Sequence, residues 1–149
     1  MPQVTLTPDE IALCQLELAL GFYLRRRDFI ACITLAGAAE EILGKLSRTQ
    51  GKTASLERRA QQKHDLFKHL WPGRQDPGLK PFIALSNSTR NVMKHLITTD
   101  PILVDLEVEA GRLLARAVEN YTLIFGAETA KMRQFQRQRL RSAFSERDA

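Results

Sequence analysis

The segment IALCQLELALGFYL, residues 11–24, is apolar around nearly its whole circumference, with Gln15 and Glu17 as its strongly polar members. A helix with one apolar stripe covers one side of a core, whereas a helix apolar all round must be covered on two. Such a chain is expected to be built around this helix. Its start is well marked. Thr7 suits the N-cap, Pro8 the first helical position, and Asp9 and Glu10 complement the positive end of the helix dipole. Arg25, Arg26 and Arg27 suit its C-terminus, and Asp28 suits the cap of the next helix.

That second helix, residues 29–48, reads FIACITLAGAAEEILGKLSR. Its run of Ala, Cys and Gly lets a neighbouring backbone approach closely, which marks it for the centre of the molecule. Gly37 and Gly44 each cost roughly 1 kcal/mol of helix propensity, and tight packing is the expected offset. TQGKTAS at 49–55 is a polar turn in which Thr53 or Ser55 is the expected next cap. LERRAQQKHDLFKHLW at 56–71 is a third helix, and PGRQDPGLKP then breaks the chain. Residues 82–97 read as a fourth helix with a polar interlude, SNSTRN, at 86–91. After the Asp100-Pro101 break, residues 105–125 carry apolar side chains at helical spacing. A basic segment, 131–144, extends this fifth helix or forms a separate arm. Strand-like alternation is missing throughout. The expectation is an all-α, four- to five-helix up-down bundle over residues 1–130 with a basic C-terminal helix or arm at 131–149.

With 44% hydrophobic residues in 149, one domain has a core that needs no staples. Cys14 and Cys32 both fall in apolar helical stretches and are expected to be small buried hydrophobes in a reducing compartment. The N-terminus lacks a basic region followed by an apolar one, and the longest apolar run, 29–39, is interrupted by Thr34 and too short to cross a bilayer. A cytoplasmic protein without a membrane span is expected. Apolar surface on the first two helices points to a homodimer.

Charge is segregated. Residues 1–44 carry three basic and six acidic side chains, residues 45–95 eleven and three, residues 96–130 two and six, and residues 131–149 six and two. The net charges are therefore −3, +8, −4 and +4, which sum to the overall +5. Basic blocks of this kind suit a large anion, nucleic acid above all, or a solvated helix face.

The chemistry-bearing constellation is Arg90-Asn91-Val92-Met93-Lys94-His95. A guanidinium holds phosphate oxygens and stabilises charge developing on phosphorus, and an imidazole moves protons near neutrality. At about 100° per residue the two point roughly 140° apart on a regular helix, so sharing one site needs long side chains, a distorted helix or a second subunit. Asn91, four before His95, lies where it could orient the ring. Glu40 continues the apolar stripe of Ile33, Ala36 and Gly37, where a carboxylate needs a cation, and Arg90 or His95 is the expected supplier. A second Arg-x4-His, Arg59 to His64, lies on what reads as an exposed basic helix. The histidines at 64, 69 and 95 lack the spacing of a metal site, and neither a cofactor motif nor a nucleophile triad is present.

The Arg90/Asn91/His95 motif resembles the HEPN superfamily, small all-α domains whose nuclease members carry Arg-x4–6-His, commonly with a polar residue after the arginine. The resemblance implies a homodimer with both motifs lining an interface cleft, metal-independent RNA cleavage, and a setting in a toxin–antitoxin or defence system. Residues 28–121 are also similar to bacterial helical proteins that pair a block like LAGAAEEILGKL with a downstream RNVMKH…DP, which implies no activity. The other expectation is a non-catalytic homodimer acting as an interaction module with a protein partner.

Overall fold

The computed structural model describes residues 3–95 and 99–145, with side chains up to 142. The described residues form six α-helices and no strand: α1 Pro8–Leu24, α2 Phe29–Thr49, α3 Ser55–Leu70, α4 Lys80–Lys94, α5 Leu106–Phe125 and α6 Ala130–Ser145. The sixth exceeds the expected four or five because α5 does not run on. Gly126, at φ +65°, takes the left-handed conformation and ends α5, and the chain restarts at Ala130.

Several local signals act as read. Thr7 and Glu10 form a reciprocal capping box at the start of α1. Asp28 accepts the Ala31 N–H at 3.0 Å and Asp105 accepts that of Val108, also at 3.0 Å. The start of α3 differs. Its N-cap is Ala54, whose side chain offers no hydrogen bond, so neither Thr53 nor Ser55 caps it. The free Ser55 N–H instead donates to Asn120 Oδ1 on α5 at 2.7 Å. A cap supplied from 65 residues away leaves no local trace. The start of α4 also comes two residues earlier than expected, because Pro81 is tolerated in a first turn. Its end falls at Lys94; the expected continuation to 97 reaches residues outside those described.

α2 is the centre, packing on α1, α5 and α4. Ala36 and Ala39 of α2 join Ala12 and Ala19 of α1 and Ala110 and Ala117 of α5 in a fully buried core, filled out by Leu16, Leu20, Leu43, Leu113 and Leu114. Gly37 and Gly44 differ in what holds them. A Cβ on Gly37 would lie 2.8 Å from Arg90 Cδ, whereas one on Gly44 would meet ordinary neighbours at 3.7 Å. Close approach therefore accounts for Gly37 and not for Gly44.

The covering required by α1 comes from within the chain. α2, α5 and α6 all pack on it. From α6, Met132 and Phe135 are fully buried, and Phe135 meets Tyr23 edge-on at 5.2 Å. The apolar circumference of α1 thus no longer argues for a second copy. Cys32 is buried, donates to the Ala19 carbonyl at 3.3 Å, and has its thiol pushed up to about 12 by that burial. Cys14, expected to be buried, is exposed on the outer face of α1 beside Leu18. Among the described residues no helix is long and apolar enough to cross a membrane.

Candidate functional site

The polar interlude in α4 is where charge enters the core. Glu40 of α2 is 3% exposed and sits between two arginines. Arg90 Nη1 lies 3.3 Å from its Oε2, and Arg116 Nε of α5 lies 3.6 Å from its Oε1. Arg116, whose side chain is 5% exposed, is held further by α4. Its Nη1 donates to the Ser86 carbonyl at 2.9 Å and its Nη2 to Asn87 Oδ1 at 3.0 Å. SNSTRN therefore serves as the polar socket for a buried guanidinium. Burial pushes Glu40 above its ordinary carboxylate range despite Arg116 and Arg90, and burial also lowers Arg116.

Glu40 thus has the expected Arg90 as a partner, together with Arg116, which sequence reasoning did not single out. The missed signal was one charged residue inside the run Leu113, Leu114, Ala115, Ala117, Val118, all buried. His95 is placed elsewhere. It is the C-cap of α4 in extended conformation, φ −126° and ψ 136°, with an exposed side chain. Among the described residues its imidazole has no hydrogen bond or ion pair with a neighbour. Asn91 reaches it through the backbone alone, accepting the His95 N–H at 2.9 Å with its carbonyl. The Asn91 side chain faces Arg90 instead, Oδ1 to Nη2 at 3.5 Å. Among the described residues no hydrogen bond joins the Arg90 and His95 side chains.

Arg90 also lines a groove of about 290 Å³ between α2 and α4, with Ile33, Gly37 and Met93 as apolar walls and a Glu41–Lys94 ion pair of 3.5 Å at its edge. Lys45, bonded to Glu41 at 3.2 Å, holds that carboxyl below its ordinary range.

A larger cleft, about 600 Å³, opens where α3, α4 and α5 meet. Its cations are Arg59 and Lys63 from α3 and Arg112 and Arg116 from α5; its hydroxyls are Ser86, Ser88 and Thr89 of α4; Leu66 and Leu85 supply apolar wall. Glu109 is the acidic side chain among the lining residues. The cations are held but not exhausted. Arg59 is anchored on Glu119, which also accepts from Ser55 Oγ at 2.5 Å and from Arg58 at 3.0 Å. Burial raises Glu119, but Arg59, Ser55 and Arg58 together outweigh it, and the carboxyl lies below its ordinary range. Lys63 donates one proton to Ser86 Oγ at 3.0 Å and keeps two. Arg112 is tied by one loose ion pair, 3.7 Å to Glu109, and is 71% exposed.

The second Arg-x4-His is therefore divided between two environments. Arg59 faces the cleft, but His64 is not on an exposed face. At 8% exposure it lies against Phe82, ring centroids 5.8 Å apart, with Nε2 2.5 Å from Asp76 Oδ1. The Gly78 N–H and then His64 lower Asp76 to about 2, which staples the loop between α3 and α4.

The chain matches no protein-family model, no curated protein and no solved structure.

Proposed function

We propose that this chain is a HEPN-like RNA-binding domain whose phosphate-contacting surface is the cleft between α3, α4 and α5. The observation that carries the reading is the cleft lining: four cations, three hydroxyl side chains and one carboxylate converge on it. Its α3 and α4 walls belong to the 45–95 block, which carries eleven basic and three acidic side chains, and α5 adds Arg112 and Arg116. Arginine forks and lysine donors with hydroxyls between them suit phosphate oxygens, and such interactions supply a large share of nucleic-acid affinity. The test is fluorescence anisotropy with a labelled single-stranded RNA. Lys63→Glu combined with Arg112→Glu alters two exposed side chains and should weaken binding at least tenfold with an unchanged circular dichroism spectrum. Equal affinity would refute the reading.

Metal-independent endoribonuclease activity is a second part of the proposal, supported by the exposed imidazole of His95 at the end of α4. The buried ion pair of Arg90 supports a positioning role for that residue. RNA cleavage assayed in EDTA should be lost in His95→Ala, and full activity in that variant would remove His95 from the mechanism.

The alternative is a non-catalytic homodimeric interaction module. The support for it has moved from α1 to the α3–α4 pair, where Leu66, Leu70, Trp71 and Leu85 are each at least 46% exposed. Sedimentation distinguishes it: a dimer disrupted by Leu70→Glu, without RNA affinity in the wild type, would favour this reading.

A further inference from the structure

The acidic side chain in the cationic cleft needs a reason. Glu109 is 7% exposed, lines the cleft, and its ion pair with Arg112 is 3.7 Å long. A carboxylate there opposes the binding of phosphate, so it is costly in a site that takes phosphate alone. It is useful in a site whose ligand also brings N–H donors.

Glu109, Arg112 and Arg116 follow one another at helical spacing along α5, and all three line the cleft. At 1.5 Å per residue, Glu109 and Arg116 are separated by about 10 Å of helix rise. This line presents an acceptor, then a donor fork, then a second buried fork with Arg59 and Lys63 across from it. Leu66 and Leu85 add flat apolar wall. The volume, about 600 Å³, falls in the size range of small-ligand sites.

The four bases differ in what they offer such an acceptor–donor pair. Guanine presents two adjacent N–H donors, N1 and N2, next to the O6 acceptor. Adenine and cytosine present one donor group beside acceptor nitrogen, and uracil one donor between two carbonyls. A carboxylate accepts two parallel N–H bonds, and an arginine meets O6. Resting on the RNA-binding reading above, we infer that the cleft receives one unpaired guanine nucleotide. Its base edge meets Glu109 and Arg112, and its phosphate meets Arg116, Arg59 and Lys63. Glu109 is then the specificity-determining residue. A free guanosine monophosphate and a guanosine within a strand share this chemistry.

The experiment uses the full chain with two labelled single strands, an oligouridine and the same strand with one central guanosine. Calorimetric titration with the four nucleoside monophosphates runs beside it. The guanosine strand should bind roughly tenfold more tightly, as one bidentate base interaction supports. Glu109→Gln keeps the side-chain shape and should abolish that preference, so that the guanosine and oligouridine strands bind with equal affinity. Should Glu109→Gln fail to fold, Arg112→Gln, on an exposed side chain, should reduce the same preference. Equal binding of both strands, or a preference that survives these variants, overturns the inference and leaves the RNA-binding reading standing. Guanosine monophosphate binding in Glu109-dependent fashion without RNA binding upholds the guanine site and overturns the RNA reading. Binding of neither overturns both.

Discussion

Glu40 is the residue where burial and charge compete most directly. Its carboxyl is raised chiefly by burial, so the folded state binds that proton more tightly than the unfolded chain does. By linkage, its contribution to stability is greatest at low pH and falls as pH rises from the ordinary 4.5 through the raised value. The ionised triad with Arg90 and Arg116 therefore fixes geometry rather than adding net stability. Glu40→Gln, a neutral isostere, should keep or raise the melting temperature at pH 7 and remove that pH dependence. A clear fall in melting temperature at pH 7 would contradict this. Gly37 is the companion test. Gly37→Ala puts a Cβ 2.8 Å from Arg90 Cδ and should cost about 1–3 kcal/mol by overpacking. In an Arg90→Ala background the same change should instead gain roughly 1 kcal/mol of helix propensity, measured by urea denaturation. Glu40's need for a cation was legible because it continues an apolar stripe. Arg116 was not, since its socket is made by Ser86 and Asn87 on another helix.

At the scale of elements, helix positions were legible wherever the signal was local: the Thr7 and Asp28 caps, the break after Trp71, and the small-residue centre of α2. What was not legible was supplied by distant partners. Asn120 caps α3 across 65 residues, and α6, basic along its outer face, buries Met132 and Phe135 beneath it. A segment with five basic side chains between 131 and 141 reads as an arm, yet two apolar residues three apart, with Lys131 paired to Glu17, dock it on α1. Removing residues 131–149 would therefore strip the core as well as the charge, so α6 is better tested for RNA binding by charge reversal than by deletion. Phe135→Ala should destabilise the protein by about 3–5 kcal/mol in thermal or urea melts. A change below about 1 kcal/mol would show that α6 is not part of the cooperative unit.

For the whole molecule, the basic 45–95 block reaches the cleft through Arg59 and Lys63, whereas the basic α6 packs on α1 and lines no part of it. Part of the 45–95 block meets α5 at a cleft, and α5, from an acidic block, contributes the cations Arg112 and Arg116 to it. Net charge by segment located half of this site; the other half depended on how α5 packs. The motif Arg90-Asn91-His95 was legible as a pattern, but its arginine is occupied by Glu40 and its histidine lies at the helix end. The measurement that bears most directly on RNA binding is the salt dependence of affinity for a single-stranded RNA, compared between the wild type and Lys63→Glu/Arg112→Glu. Abolishing the neutralisation of one phosphate on a single strand flattens the log–log slope by about 0.7. The wild-type slope should be steep and become shallower by roughly 0.7 in the double variant, through the lost Lys63–phosphate contact, with weaker binding at every salt concentration. Identical slopes and affinities in the two proteins would contradict this.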